Sequence, residues 1–252
     1  MVPPLRTDCQ AKNLPFHPFF AKMTVKIIYM NIGKLYVVAT PIGNLGDMTL
    51  RGVETLRTVD AILCEDTRVT AKLLAHFEIS KPLIAAHEHN SGNIVQKISQ
   101  MLEEGKNLAM VTDAGTPGIS DPGNRLIENL LAIHSDLEVV SIPGASAVVA
   151  LLSVSGFATD KFYFGGFPPH KGRESYFREL AVRDETLVFY ESPHRILKCF
   201  GEISKYFSPE RQIVVGRELT KKFETIYRGT VGGIASMSIP DRGEFVIAIK
   251  NK

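Results

Sequence analysis

Lys34-Leu35-Tyr36-Val37-Val38-Ala39-Thr40-Pro41-Ile42-Gly43-Asn44-Leu45-Gly46-Asp47 begins the regular part of the chain and decides its fold. Leu35–Ala39 is a short apolar, β-branched run, which reads as a strand that Pro41 and Gly43 then stop. A helical pattern follows from about Leu50 to Val59. Working outward, the same strand–loop–helix unit recurs. Ala61–Cys64 reads as a strand before a helix over Thr67–Phe77. Pro82–Ala86 precedes a helix over Ser91–Glu104, which sets Ile94, Ile98, Met101 and Leu102 on one face and stops at Gly105. Leu108–Thr112 precedes a helix near Asn124–Ile133, and Leu137–Ile142 precedes one over Ala145–Ser153. Five strands alternating with helices predict an α/β domain around a mostly parallel sheet.

Ser155-Gly156-Phe157 breaks that rhythm and marks a hinge, giving domains over 33–155 and 156–252. In the second, strands are expected at Phe162–Phe167, Leu187–Tyr190, Gln212–Val215, Glu224–Tyr227 and Glu244–Ile249. Helices are expected at Glu174–Arg183, Pro193–Tyr206 and Val231–Met237. Strands lie closer together here, so this sheet is predicted to be mixed. Residues 1–32 differ from both domains. Pro3, Pro4, Pro15 and Pro18 break helices, and no alternation makes a strand. His17, Lys22 and Lys26 interrupt the apolar stretch, and no small-residue cleavage site follows, which argues against a signal peptide. The segment reads as a disordered extension or a start-site artefact, with Met23 and Met30 as alternative starts.

At 44% hydrophobic and 22% charged over 252 residues, the chain has the composition of a globular protein. No apolar run approaches the roughly 20 residues that span a bilayer. Cys9, Cys64 and Cys199 are scattered and form no CxxC pair, which fits a reducing compartment and argues against a disulfide framework or structural zinc. The net charge of +2 is unevenly spread: residues 33–155 carry 9 basic against 14 acidic groups, and residues 156–252 carry 16 against 12. A polyanion would be drawn to the second half, although two solvated surfaces of differing sign give the same count.

Three Gly- and Pro-rich loops follow predicted strands: Thr40–Asp47, Thr112–Gly123 and Ile142–Ala147. In open α/β sheets, ligands bind outside the carboxyl ends of strands. One such loop is ordinary turn chemistry, but three together predict a ligand cleft. Neither GxxxxGK[ST] nor GxGxxG after the first strand is present, so a phosphate cradle is not indicated. Backbone groups, small side chains and carboxylates such as Asp113 and Asp121 suit a ligand with adenine, ribose and ammonium parts.

The strings Leu35–Leu45, Cys64-Glu65-Asp66-Thr67-Arg68, Thr112-Asp113-Ala114-Gly115-Thr116-Pro117, Ser120-Asp121-Pro122-Gly123 and Pro143-Gly144-Ala145-Ser146-Ala147 resemble the 16S rRNA cytidine-2′-O-methyltransferase family. So do Ser155-Gly156-Phe157, Tyr190-Glu191-Ser192-Pro193-His194-Arg195 and Gly216-Arg217-Glu218-Leu219-Thr220-Lys221. The resemblance runs in order from about Gly33 to Ile249. It implies a fold of the tetrapyrrole methylase type, with two α/β domains, S-adenosylmethionine in the cleft between them, and a cytoplasmic homodimer acting on 16S rRNA or the small ribosomal subunit. The first loop lacks the GxGPGD-type string of tetrapyrrole methylases, which favours the RNA branch. Members often continue past the last strand, whereas this chain stops at Lys252; a gripping role for that segment would leave RNA affinity lower here.

Carried onto this sequence, the resemblance places the methyl-donor site at Pro41, Asn44, Asp113, Ala114, Gly115, Ser120, Asp121, Pro143, Ser146 and Tyr190. A ribose hydroxyl must lose its proton near the transition state, so a general base is required. Glu191 is the first candidate, then Lys221 if burial lowers its pKa, then His194. A salt bridge from Glu191 to His194 or Arg195 is the structural alternative. RNA contacts are expected from Lys171, Arg173, Arg178, Arg195, Arg217, Lys221 and Lys222, with Phe167, Tyr176 and Phe177 either stacking on bases or filling the core. His87-Glu88-His89 could place two imidazoles on one strand face, but no further ligands are visible and no metal is expected. A tetrapyrrole or other small-molecule methyltransferase and a non-catalytic RNA-binding module of ribosome assembly are the competing readings.

Overall fold

The computed structural model describes residues 32–86, 91–121 and 123–252. The reading of the N-terminal segment up to residue 31, and that of His87-Glu88-His89, fall outside these residues. The first sheet comprises β1 (Leu35–Val38), β2 (Ala61–Cys64), β3 (Leu83–Ala85), β4 (Leu108–Met110) and β5 (Val139–Ile142). Its helices are α1 (Leu50–Thr58), α2 (Thr67–His76), α3 (Ser91–Glu103), α4 (Asn124–Ile133) and α5 (Ala147–Ser155). The strand order is β3-β2-β4-β1-β5, and every pair is parallel.

Both faces of this sheet are covered, which is why its strands are continuously apolar rather than alternating. Val38 and Ile62 pack with Leu56 of α1 and Leu74 of α2. Leu35 and Leu63 point the other way, onto Ile98 and Leu102 of α3 and Leu130 of α4. The helices start where polar caps allow. The Thr49 hydroxyl accepts from Gly52 N at 3.0 Å to open α1. The Asp66 carboxylate accepts from Arg68 N at 2.8 Å to open α2.

The second sheet comprises β6 (Phe162–Phe164), β7 (Thr186–Glu191), β8 (Gln212–Arg217), β9 (Thr225–Thr230) and β10 (Phe245–Ile249), with α6 (Arg173–Val182), α7 (Ile196–Tyr206) and the short α8 (Val231–Ile234). Its order is β6-β7-β10-β8-β9. The β6–β7 pair is parallel and the other three pairs are antiparallel, so this sheet is mixed as the spacing predicted. Phe189, Ile213 and Ile247 face α6, α7 and α8, with Phe177, Phe200 and Ile203 filling that layer. Val188, Val214 and Val246 face the opposite way and are covered by Val148, Leu151 and Leu152 of α5.

The position of α5 joins the two sheets. It follows β5 in sequence, but its buried face lies on the second sheet, and each fully buried aliphatic side chain there contributes about 2 kcal/mol. We propose 33–155 and 156–252 as the sequence limits of the two lobes, with α5 reaching across. Among the described residues, no helix is long and apolar enough to cross a membrane.

Candidate functional site

The strand order explains why three loops meet. β4, β1 and β5 are neighbours, so the loops leaving their carboxyl ends are neighbours too. Hydrogen bonds then tie them together. Thr40 N donates to Gly115 O at 2.8 Å and Gly115 N donates back to Thr40 O at 3.1 Å. The buried Thr40 hydroxyl donates to Thr112 O at 3.1 Å, and the Thr116 hydroxyl donates to Ala145 O at 3.1 Å. Gly115 has φ +89°, and a Cβ there would sit 3.4 Å from Ile42 Cγ2, so the tie between the first and second of these loops needs glycine.

The opposite wall comes from the second sheet. β10 runs antiparallel between β7 and β8, so its first residues lie beside the last residues of both. Phe245 pairs with Glu191 on one side and Arg217 on the other. Between the walls is a cleft of about 360 Å³. Ile42, Ile119, Leu219 and Phe245 give it apolar surface. Ser120, Asp121 and Ser146 give it polar groups, and Phe167 and Tyr190 close one side. Among the described residues, no lysine or arginine lines it.

The structure brings Ala114, Gly115, Ser120, Asp121, Ser146 and Tyr190 from the expected methyl-donor set to this cleft. Four others stand outside its lining. Pro41 is buried one residue before Ile42. Asn44 is exposed, and its carbonyl accepts from Gly46 N at 2.9 Å to cap the turn Leu45–Asp47. Asp113 is exposed and accepts from Asp66 N at 3.2 Å, and Pro143 is exposed at the start of its loop.

Burial first, and then the negative charge of Glu65, raises the Asp121 carboxyl to about 6; a hydrogen bond from Thr112 opposes this, and Asp113 adds a lesser upward push. Burial, with help from Asp121, pushes the Tyr190 phenol up to about 12, so it stays protonated at neutral pH. Tyr190 is fixed by aromatic contacts, with ring centroids 5.1 Å from Phe164 and 5.2 Å from Phe167.

Glu191 lines the cleft through the chain, but its carboxylate turns inward and is fully enclosed. One oxygen accepts from Arg173 Nη2 at 2.8 Å. The other accepts from Ser192 N at 2.8 Å and lies 2.9 Å from Arg195 Nε. The structural alternative weighed for this residue is thus present with Arg195, and a second arginine joins it. Arg173 also pairs with Glu202 at 2.6 Å, and its buried Nη1 has no partner among the described residues. Arg195 in turn donates to Ser192 Oγ at 3.1 Å and Pro168 O at 3.0 Å.

Lys221 contacts Glu218 at 3.1 Å and Glu244 at 3.0 Å. Burial pulls its pKa down, but these two carboxylates more than offset that, so the ammonium is held above the usual lysine range. Its stem crosses to the first lobe, where a Cβ on Gly43 would lie 2.3 Å from Lys221 Cγ. His194 is exposed on the turn Pro193–Arg195, outside the cleft lining.

The expected RNA contacts divide by exposure. Lys171, Arg178 and Lys222 are exposed, although Arg178 pairs with Glu174 at 2.7 Å. Arg195 is partly buried, and Arg217 donates to Arg242 O at 2.7 Å. Arg173 is only 7% exposed and is committed to the internal network, so it offers no surface to a partner. Of the aromatics, Phe177 is core, Tyr176 is half-buried and donates to Gly165 O at 3.3 Å, and Phe167 stands half exposed at the cleft.

The sequence reading did not name Ile42 and Ile119 individually, although both lie on its predicted cleft loops, and it did not assign Gly216, Leu219 and Glu244–Val246 to the cleft. The strings Gly216–Lys221 and Leu35–Leu45 had flagged three of them. Nothing in the sequence placed the start of β10 between β7 and β8.

Residues 34–235 match the family described as Tetrapyrrole (Corrin/Porphyrin) Methylases. The chain is 46% identical over 222 residues to ribosomal RNA small subunit methyltransferase I of Synechocystis sp., covering 86% of this chain and 79% of that protein. It is 42% identical over 224 residues to the protein of the same name in Bacillus subtilis, covering 87% and 76%. The crystal structure of uroporphyrin-III-C-methyltransferase from Thermus thermophilus superposes with a TM-score of 0.60 at 19% identity, covering 86% of this chain and 94% of that one. That likeness concerns the fold.

Proposed function

Since the chain belongs to the tetrapyrrole methylases and, within them, to the ribosomal RNA small subunit methyltransferase I family, we propose that it methylates the ribose 2′-hydroxyl of a cytidine in 16S rRNA, using S-adenosylmethionine. The observation that carries this reading is the cleft itself, where three glycine- and proline-rich loops of a parallel sheet meet the strand ends of a second sheet.

The residues present suit that methyl donor. Phosphate-binding sites usually collect basic side chains, and among the described residues this lining holds neither lysine nor arginine. Apolar walls with a few convergent polar groups are the usual setting for a small organic ligand, and about 360 Å³ lies within the usual range. Phe167 and Tyr190 offer ring faces to an adenine. The peptide groups of Ala114–Thr116 can reach its ribose. Ser146 caps α5 without using its own side chain, so the first-turn N–H groups of that helix would be available to the donor's carboxylate. When bound, the sulfonium supplies an already activated methyl group, so the chain's task is alignment and proton removal. Glu191 serves as a positioning residue: through Ser192 N, Arg195 and Arg173 it fixes the Ser192-Pro193 lip of the cleft. Lys171, Arg195, Arg217 and Lys222 serve the RNA backbone on the more basic second half.

The scattered cysteines support a cytoplasmic setting. Val149 and Val154 of α5, 60% and 44% exposed, supply apolar surface for a homodimer, which light scattering would register as twice the chain mass. The apolar, arginine-free cleft also suits a small-molecule acceptor, which is the second reading. One assay separates the two. Radiolabelled S-adenosylmethionine is incubated with small ribosomal subunits from cells lacking this protein, and the RNA is digested to nucleosides. Label in 2′-O-methylcytidine is expected; no ribose label above background would remove the RNA reading.

A further inference from the structure

We infer that Asp121 is the catalytic base that accepts the proton of the acceptor hydroxyl; this rests on the methyl-transfer reading of the cleft. The ionisable side chains among its lining residues are Asp121, Tyr190, Glu191 and Glu244. Glu191 is enclosed by Arg173, Arg195 and Ser192 N. Glu244 is bound to Lys221 at 3.0 Å, and its side chain is 73% exposed. Tyr190 retains its proton. Of the three carboxylates, Asp121 alone lines the cleft with no ion pair among the described residues.

Its setting is built by the loop after β4. Ser120 adopts φ +59°, a left-handed conformation that costs a non-glycine residue energy and that turns the chain at the cleft wall. The charged and titratable groups around Asp121 are Glu65 at the end of β2, Asp113 on its own loop and Tyr190 on β7. Glu65 is approached by the Thr112 hydroxyl at 3.4 Å, and Asp113 accepts from Asp66 N at 3.2 Å. Neither lines the cleft. The partial burial of Asp121, together with the negative charge of these neighbours, makes it a stronger base than a free aspartate, while leaving it ionised at neutral pH.

The step balances as follows. The hydroxyl oxygen forms a bond to the methyl carbon, and the carbon–sulfur bonding pair leaves with sulfur as a neutral thioether. The O–H proton passes to an Asp121 oxygen, and from there to water once product departs. No redox change occurs.

The test uses the full chain and small ribosomal subunits lacking this modification. Wild-type single-turnover rates are expected to fall about tenfold per pH unit below about 6, and to level off above it. Asp121→Asn is expected to lower the plateau on the order of 100-fold or more and to abolish that limb, with calorimetric affinity for S-adenosylmethionine within about threefold of wild type. Glu65→Gln removes the like charge that acts most strongly on Asp121. It is expected to move the limb to lower pH with the plateau kept, a change that no loss of folding imitates. Full turnover by Asp121→Asn, loss of methyl-donor binding in that variant, or an unmoved limb in Glu65→Gln would each overturn the assignment. Absence of methyl transfer by the wild-type chain would instead count against the reading of the cleft itself.

Discussion

Glu191→Gln tests whether this residue is structural or chemical. The substitution keeps shape and volume but leaves one acceptor oxygen where the carboxylate had two. In the native protein those oxygens face three donors, from Arg173 at 2.8 Å, Ser192 N at 2.8 Å and Arg195 at 2.9 Å. Whichever way the amide turns, its NH2 group meets an N–H. Removing one partner of a buried pair costs about 3–5 kcal/mol. Arg173 retains Glu202, and Arg195 is partly exposed, so the lower end applies, about 3 kcal/mol. For a folded region of this size that corresponds to roughly 6–12 °C in Tm. Differential scanning fluorimetry at neutral pH measures it, alongside turnover well below the variant's melting temperature. A positioning role predicts the loss in Tm, a raised KM for RNA and an unchanged acidic limb in the rate. A Tm within 1 °C of wild type combined with a lost acidic limb would refute the reasoning and make Glu191 the base.

Three further outcomes follow from the same geometry. Asp121→Asn should stabilise the chain without methyl donor. A folded carboxyl held at about 6 stays protonated after the unfolded one has ionised near 4, so stability falls as pH rises between them, and the full penalty applies above 6. After discounting for partial exposure, the gain is roughly 1–2 kcal/mol at pH 8 and none at pH 3, read from urea melts at both. Gly115→Ala forces a Cβ onto φ +89° beside Ile42, costing about 1–2 kcal/mol in urea melts and weakening methyl-donor binding by calorimetry. Lys221→Met should keep turnover within about fivefold, because an ammonium held by Glu218 and Glu244 has no free lone pair to offer; a loss of about 100-fold or more would restore it as the base.

The local order of elements was legible because each depends on neighbours in sequence. Periodicity and the stops at Pro41, Gly105 and Gly156 located all five strands of the first sheet, and compositional spacing anticipated the mixed second sheet. What periodicity does not carry is lateral order. A crossover from β3 to β4, or the insertion of β10 between β7 and β8, leaves no period in the chain. Glu244–Val246 therefore could not be assigned to the cleft, although Tyr190 could. The same limit governs charge partners. Glu191 reads in sequence as a carboxylate at a strand end, and only packing reveals that Arg173, eighteen positions earlier, turns it inward.

Backbone strain marks the same cleft independently of its side chains. Among the described residues, four non-glycine residues have positive φ: Glu78, Ser120, Glu218 and Thr220. Glu78 ends α2, a position where a left-handed residue is ordinary helix termination. The other three lie on the loops flanking the cleft, one after β4 and two between β8 and β9. Such residues cost about 1–3 kcal/mol each and persist only where surrounding contacts determine them. Around Glu218 those contacts are explicit: its carboxylate accepts from Lys221 Nζ at 3.1 Å and Glu244 N at 2.9 Å, while Thr220 N donates to Glu224 at 2.5 Å. Gly243 makes room for the Glu218 side chain, since a Cβ there would lie 2.6 Å from its Cγ. The buried Thr220 hydroxyl nevertheless has no partner among the described residues, and it lies 3.0 Å from where a Gly43 Cβ would sit. Fold stability alone would favour relaxed turns at both loops. Both strained turns are kept at the cleft, and the 218–221 turn is seated against Gly43 of the first loop, which holds that part of the two walls in register.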